Sequence, residues 1–135
     1  MSGSDTEGRF ALVQHLLDAR ALGAPMQRHT REDRHLYVLS GEIGRLSSGQ
    51  EVRAKAGDSF FTPRGEWHTF WNRSDEPASV LEIVSPAGCE HFFTECAELP
   101  SPGDEKALSR VAADHGLQFD WAATSEVVRQ HGLVR

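Results

Sequence analysis

Two short runs in this chain hold side chains whose types and spacing could do chemistry. In Pro25-Met-Gln27-Arg-His29-Thr-Arg-Glu-Asp-Arg34 an amide, an imidazole and a guanidinium lie close together, and Gly57-Asp-Ser-Phe-Phe-Thr-Pro63-Arg-Gly65-Glu-Trp-His68-Thr-Phe-Trp-Asn72 brings a second imidazole after a Pro-x-Gly turn. An arginine offers a planar fork suited to carboxylate, phosphate or enolate oxygen. A nearby cation also favours neutral histidine, which can accept a proton near neutral pH. His29 and His68 beside Arg34 would thus be equipped to abstract a proton next to a carbonyl, and so to isomerise, cyclise or eliminate an anionic or enolisable substrate. Gln27 would add a polar anchor, and Tyr37, Phe61, Phe70 and Trp71 could wall a pocket, because ligand sites are mostly apolar. The plainer reading packs these aromatics into a core and turns Arg34 outward, or pairs it with Glu32, Asp33 or Glu82. His15, His115 and His131 read as surface or packing residues, and Cys89 and Cys96 as reduced thiols.

These residues need a scaffold, and turn residues mark one out. Gly, Pro, Asn or Asp recurs at Gly41, Gly49, Gly57, Pro63 to Gly65, Asn72 to Pro77 and Pro86. Between them, 34–39, 42–46, 51–55, 59–62, 67–71 and 78–84 are rich in β-branched and aromatic residues or alternate in polarity, as strands of a sandwich or barrel do. A further strand is expected over 10–17. On a regular strand Arg34, Leu36 and Val38 face one side and His35, Tyr37 and Leu39 the other, while His68, Phe70 and Asn72 share a face. After Pro86 the period becomes helical. One helix is expected over 90–99, ended by Pro100 to Gly103; a second opens at Asp104 and closes at Gly116, and a short third starts at Thr124 or Ser125 and stops at Gly132. The organisation expected is a flexible tail at 1–9, a barrel domain at 10–99 and a helical extension of the same domain at 100–135.

The second run reads G, five residues, P, x, G, two residues, H, three residues, N, and resembles the second cupin motif at every fixed position. The first is similar to the first cupin motif of quercetin-dioxygenase-like cupins, HxH, four residues, E, six residues, G, with Gln27, His29, Arg34 and Gly41 in that frame. The resemblance covers roughly 10–99. It implies an all-β fold, an antiparallel cupin or jelly-roll barrel with the C-terminal helices packed outside, a homodimer, and His29 and His68 on facing strands. It also implies a metal held by three His and one carboxylate, but here Gln27 replaces a His and Arg34 replaces the Glu. A guanidinium has no lone pair to donate, and its charge a few Å from a cation costs several kcal/mol in a partly buried site. No cofactor is therefore expected. The alternative is iron, manganese, nickel or zinc on His29, His68 and Gln27, helped by a bulge that turns His35 inward or by Glu32 bending back. The reading that follows is a metal-independent small-molecule enzyme; the alternatives are a cupin dioxygenase with an altered ligand set and a non-catalytic small-molecule-binding cupin.

Composition narrows the partners. At 135 residues, with 39% hydrophobic and 25% charged residues, the chain matches one globular domain. A net charge of -6 and a pI near 5.6 give no basic field for nucleic acid. No apolar run approaches the roughly 20 residues of a membrane helix, and the start has no charged region followed by an apolar one, so no membrane partner and a cytoplasmic location are expected.

Overall fold

The computed structural model describes residues 1–99 and 104–135. The strands come first: β1 (Ala11–Leu17), β2 (Leu22–His29), β3 (Asp33–Ser40), β4 (Glu42–Ser47), β5 (Gln50–Lys55), β6 (Ser59–Thr62), β7 (His68–Asn72) and β8 (Ala78–Ser85). Helices α1 (Glu90–Ala97) and α2 (Glu105–Asp114), a short β9 (Leu117–Phe119) and helix α3 (Trp121–His131) follow. Among the described residues the strands pair antiparallel in two sheets, ordered β1-β8-β3-β6 and β5-β4-β7-β2-β9, which form the expected jelly-roll barrel.

Alternation explains how the strands close it. On β3 Arg34, Leu36 and Val38 are buried while His35, Tyr37 and Leu39 are exposed, and on β8 Ala78, Val80, Glu82 and Val84 point inward. Leu17, Leu36, Val38, Ile43, Phe70 and Val80 form one buried cluster that fills part of the interior. Each such side chain contributes about 1.5–3 kcal/mol on burial. Strand β7 is buried along its whole length because both faces are covered. Phe70 joins that interior cluster, whereas Trp71 packs on the opposite face with Met26, Val127 and Leu133 beneath α3. The C-terminal helices thus lie outside the barrel, as expected.

The strands expected between residues 27 and 85 are all present, and helices follow residue 88. Asp104 caps α2 by accepting from the Lys106 and Ala107 amides, and Gly116 beyond it has φ +75°. The expected breaker, Pro100 to Gly103, lies outside the described residues. Three local expectations need correction. Strand β2 was not singled out by the sequence pattern, because Gly23 and Pro25 interrupt it; the register accordingly shifts between Leu22 and Ala24 and between Ala24 and Gln27. Gly23 is also required there, since a Cβ would lie 2.2 Å from a ring carbon of Phe70. Helix α3 starts at Trp121, not at Thr124 or Ser125: the Asp120 side chain accepts from Ala123 N, and the Thr124 hydroxyl donates to the Asp120 carbonyl instead. The N-terminal segment expected to be a free tail is docked. It forms a 3-10 turn at Gly3–Asp5, and the Met1 ammonium donates to the Leu12 carbonyl at 3.0 Å.

Candidate functional site

Adjacent strands build the polar end of the interior. Leu36 on β3 stands opposite Glu82 on β8, and Arg34 opposite Val84, so Arg34 and Glu82 are diagonal neighbours on the inward face. His15 on β1 stands opposite Val80 and is diagonal to Glu82 from the other side. The result is a chain of contacts across β3, β8 and β1. Arg34 Nε donates to Glu82 Oε2 at 2.8 Å, and Nη2 donates to Oε1, a two-pronged pair with both side chains about 95% buried. His15 Nε2 reaches the same Oε1 at 3.0 Å.

Arg34 therefore faces inward, where the family frame puts position 34, but its counter-charge is internal. The expectation of an anion receptor is corrected on this point, because Glu82 already neutralises the guanidinium. Burial would raise the Glu82 pKa, but Arg34 and the hydrogen bonds from His15 and Arg34 outweigh it and hold the carboxyl well below the usual range. An ionised carboxylate only accepts, so His15 Nε2 carries the proton of that bond. On its other edge Arg34 Nη1 lies against both ring nitrogens of His29, 2.8 Å from Nδ1 and closer still to Nε2, and donates to Cys89 Sγ at 3.6 Å. His29 and His68 do approach inside the barrel, with ring centroids 5.5 Å apart. Burial, with Arg34 nearby, keeps His29 neutral far below its ordinary pKa, and burial lowers that of His68 to about 4. His68 Nδ1 lies 3.0 Å from the Glu66 carbonyl, to which it donates, leaving Nε2 as an acceptor.

A cavity of about 180 Å³ opens beside this chain of contacts. Its polar floor is His15, Gln27, Arg34 and Glu82, and its walls include Phe70, Phe92, Phe93 and Phe119. Of the residues expected at the site, Gln27, Arg34 and Phe70 thus line it. His29 and His68 do not, and His68 instead borders a void of about 10 Å³ with Arg34, Arg45 and Thr62. Tyr37 and Phe61 are corrected to outer-surface residues, because odd-numbered positions on β3 and Phe61 on β6 point away from the interior. Trp71 is buried beneath α3, where its ring lies 4.5 Å from that of His131, so it does not wall the cavity either. The Phe residues that do wall it come largely from α1 and β9. Sequence reading missed His15 and undervalued Glu82 as an acid-base partner. The available signal was a charged residue at the inward parity of a strand whose other inward residues are Ala78, Val80 and Val84.

The donor set can be tested against the family's metal. Gln27, His29, Arg34 and His68 occupy the corresponding positions, but Arg34 lies against His29 and donates to one of its ring nitrogens. A donor-only cation in that place does not fit a metal held by these four residues. Glu32 does bend back from the turn before β3, as one alternative anticipated, and its carboxylate lies 3.6 Å from His29 Nδ1. His35 stays outside.

Relatives share this architecture. The model of the cupin domain matches residues 15–84, just over half of the chain. The tetracenomycin polyketide synthase protein TcmJ of Streptomyces glaucescens is 34% identical over 58 residues, 43% of this chain and 39% of that protein. The match thus spans well under half of that relative. KdgF from Halomonas sp. superposes with a TM-score of 0.57 at 25% identity, covering 62% of this chain and 74% of the other. A sugar phosphate isomerase from a cupin superfamily, from Silicibacter pomeroyi, gives a TM-score of 0.55 at 25% identity over 63% and 57%. With both motifs in place on facing strands of a jelly-roll barrel, and a domain match over most of it, this chain belongs to the cupin family.

Proposed function

We propose that this cupin is a small-molecule enzyme that moves a proton on an enolisable, ring-containing substrate, in an isomerisation, cyclisation or elimination that needs no metal. One observation carries the reading: a His15–Glu82–Arg34 chain forms the floor of a cavity walled by phenylalanines. Glu82 accepts from His15 Nε2, so the neutral ring would present Nδ1 to the cavity as a general base. Arg34 spends most of its donors on Glu82, His29 and Cys89, but a guanidinium has five N–H groups, and one on Nη2 remains for a substrate oxygen. That donor would stabilise an enolate as the base removes the neighbouring proton. The Gln27 amide makes no hydrogen bond among the described residues and supplies a second polar anchor. Because the pair at the floor is neutral overall, the site favours an enolisable carbonyl over a fully charged anion.

Size supports the substrate class. A cavity of about 150 Å³ lined by apolar side chains takes a benzene, so about 180 Å³ accommodates one ring, with the rest of a larger molecule at the mouth. Similarity to a polyketide synthase protein and to a sugar phosphate isomerase is compatible with such a carbonyl. The test is exchange of α-protons for deuterium in one- and two-ring ketones such as 1-indanone, followed by NMR. Wild type should exceed buffer, and His15→Gln should lose about a hundredfold or more of the catalysed rate. Binding without exchange above buffer across the series would support the non-catalytic binding module instead.

A further inference from the structure

Behind Arg34, on the side away from the cavity, lies a second group of chemically able side chains. His29 from the end of β2, Glu32 from the turn before β3 and Cys89 from the start of α1 are each about 97% buried or more, and their ligand atoms lie within 4.8 Å of one another. None of them lines the cavity. Glu32 Oε1 is buried with no hydrogen-bond partner among the described residues. His29 Nδ1 lies 3.6 Å from it, too far for a hydrogen bond. A buried carboxylate oxygen without a donor is rare, and this one lies beside an imidazole and a thiol.

The spacing suits a metal ion. A tetrahedral zinc site with bonds of about 2.0–2.2 Å to nitrogen and oxygen and about 2.3 Å to sulfur sets N and O about 3.4 Å apart and N and S about 3.5 Å apart. His29 Nδ1 lies 3.6 Å from Glu32 Oε1 and 3.9 Å from Cys89 Sγ, a few tenths of an ångström wider than those values. Charge balances as well. A thiolate and a carboxylate would neutralise a divalent ion, while Arg34 keeps Glu82 as its own counter-charge. A thiolate with an imidazole selects zinc-class ions over magnesium or calcium.

We infer that His29, Glu32 and Cys89 form a buried binding site for a thiolate-preferring divalent transition metal, which shares only His29 with the four-residue set of the barrel motifs. The ion would displace the Cys89 proton and take His29 Nδ1 and Cys89 Sγ away from Arg34 Nη1. Metal binding is then linked to how much of the guanidinium is free to face the cavity. Because the Cys89 thiol must ionise to ligate, binding releases a proton and strengthens as pH rises.

The experiment is a Co2+ titration of the full chain, produced without a metal-affinity step and stripped with chelator, followed by Zn2+ competition. One equivalent of Co2+ should bind with a thiolate-to-cobalt charge-transfer band in the near ultraviolet, and Zn2+ should bleach it. Cys89→Ser should abolish the band and Cys96→Ser should retain it. Glu32→Gln, which keeps size and shape, should weaken binding by more than about tenfold, the range already seen for residues that only orient ligands. This variant decides the matter if Cys89→Ser does not fold. Failure to bind one equivalent, binding without the charge-transfer band, or affinity unchanged in Glu32→Gln would each overturn the inference. None of these outcomes bears on His15, so the ketone-exchange test stands separately.

Discussion

Replacing Glu82 by Gln keeps the shape of the side chain and removes the counter-charge of Arg34. Both side chains are about 95% buried, so solvent does not screen the loss, and breaking a buried pair from one side costs about 3–5 kcal/mol. With an unfolding entropy of about 2.1 cal/mol/K per residue, this chain loses roughly 3–4 °C of Tm per kcal/mol, so Tm should drop by roughly 10–18 °C. Urea denaturation followed by circular dichroism reads the free energy directly, and thermal scans check the shift. Arg34→Met combined with Glu82→Leu should recover most of the loss, because well-packed apolar residues often replace a buried pair at little cost. A Glu82→Gln loss below about 1 kcal/mol, the value of an exposed ion pair, would refute the reading of a buried pair that anchors the site. The same outcome would remove the reason for His15 to hold its proton on Nε2.

Other outcomes follow from the same geometry. His68 is lowered from its ordinary 6.5 to about 4, and His29 is lowered further, so between pH 6.5 and 4 the unfolded chain binds protons that the folded one does not. Stability is then full above 6.5 and falls as pH drops through that window, by up to about 1.4 kcal/mol per unit for each histidine; urea midpoints at pH 7.5, 6 and 5 should show it, His68→Asn should flatten it, and pH-independent midpoints would contradict it. Gly23→Val places a Cβ against the Phe70 ring, and should destabilise the fold and block ligand entry in a fluorescence titration with 1-naphthol; unchanged binding would mean that the probe does not use this cavity. The homodimer implied by family resemblance would bury the outer face of the β1-β8-β3-β6 sheet, where Leu16, Tyr37, Leu39, Phe61 and Ile83 are exposed. Tyr37→Ser with Phe61→Ser should shift a dimer towards monomer in light scattering while leaving ketone exchange intact, and a dimer indifferent to both would place the interface elsewhere.

Much of this protein was legible in the amino-acid sequence, because the relevant rules are local. Turn residues at regular spacing set the strands from β3 to β8, and alternation within β3 put Arg34 on the buried side and His35 on the exposed side. The two motifs likewise brought His29 and His68 together inside the barrel. Which group meets Arg34 there is a different kind of question. Glu82 is 48 residues away, and only the register between β3 and β8 makes it a diagonal neighbour in preference to Glu32 or Asp33. His15 and Cys89 likewise reach the cluster through the pairing of β1 with β8 and through the docking of α1. The aromatics divide for the same reason. Phe70 and Trp71 are adjacent and equally apolar, yet one faces the cavity and the other α3, and the sequence carries no mark of where that helix lies. Local periodicity determines which face a side chain takes, whereas its partners depend on long-range register and packing, which only the tertiary structure decides.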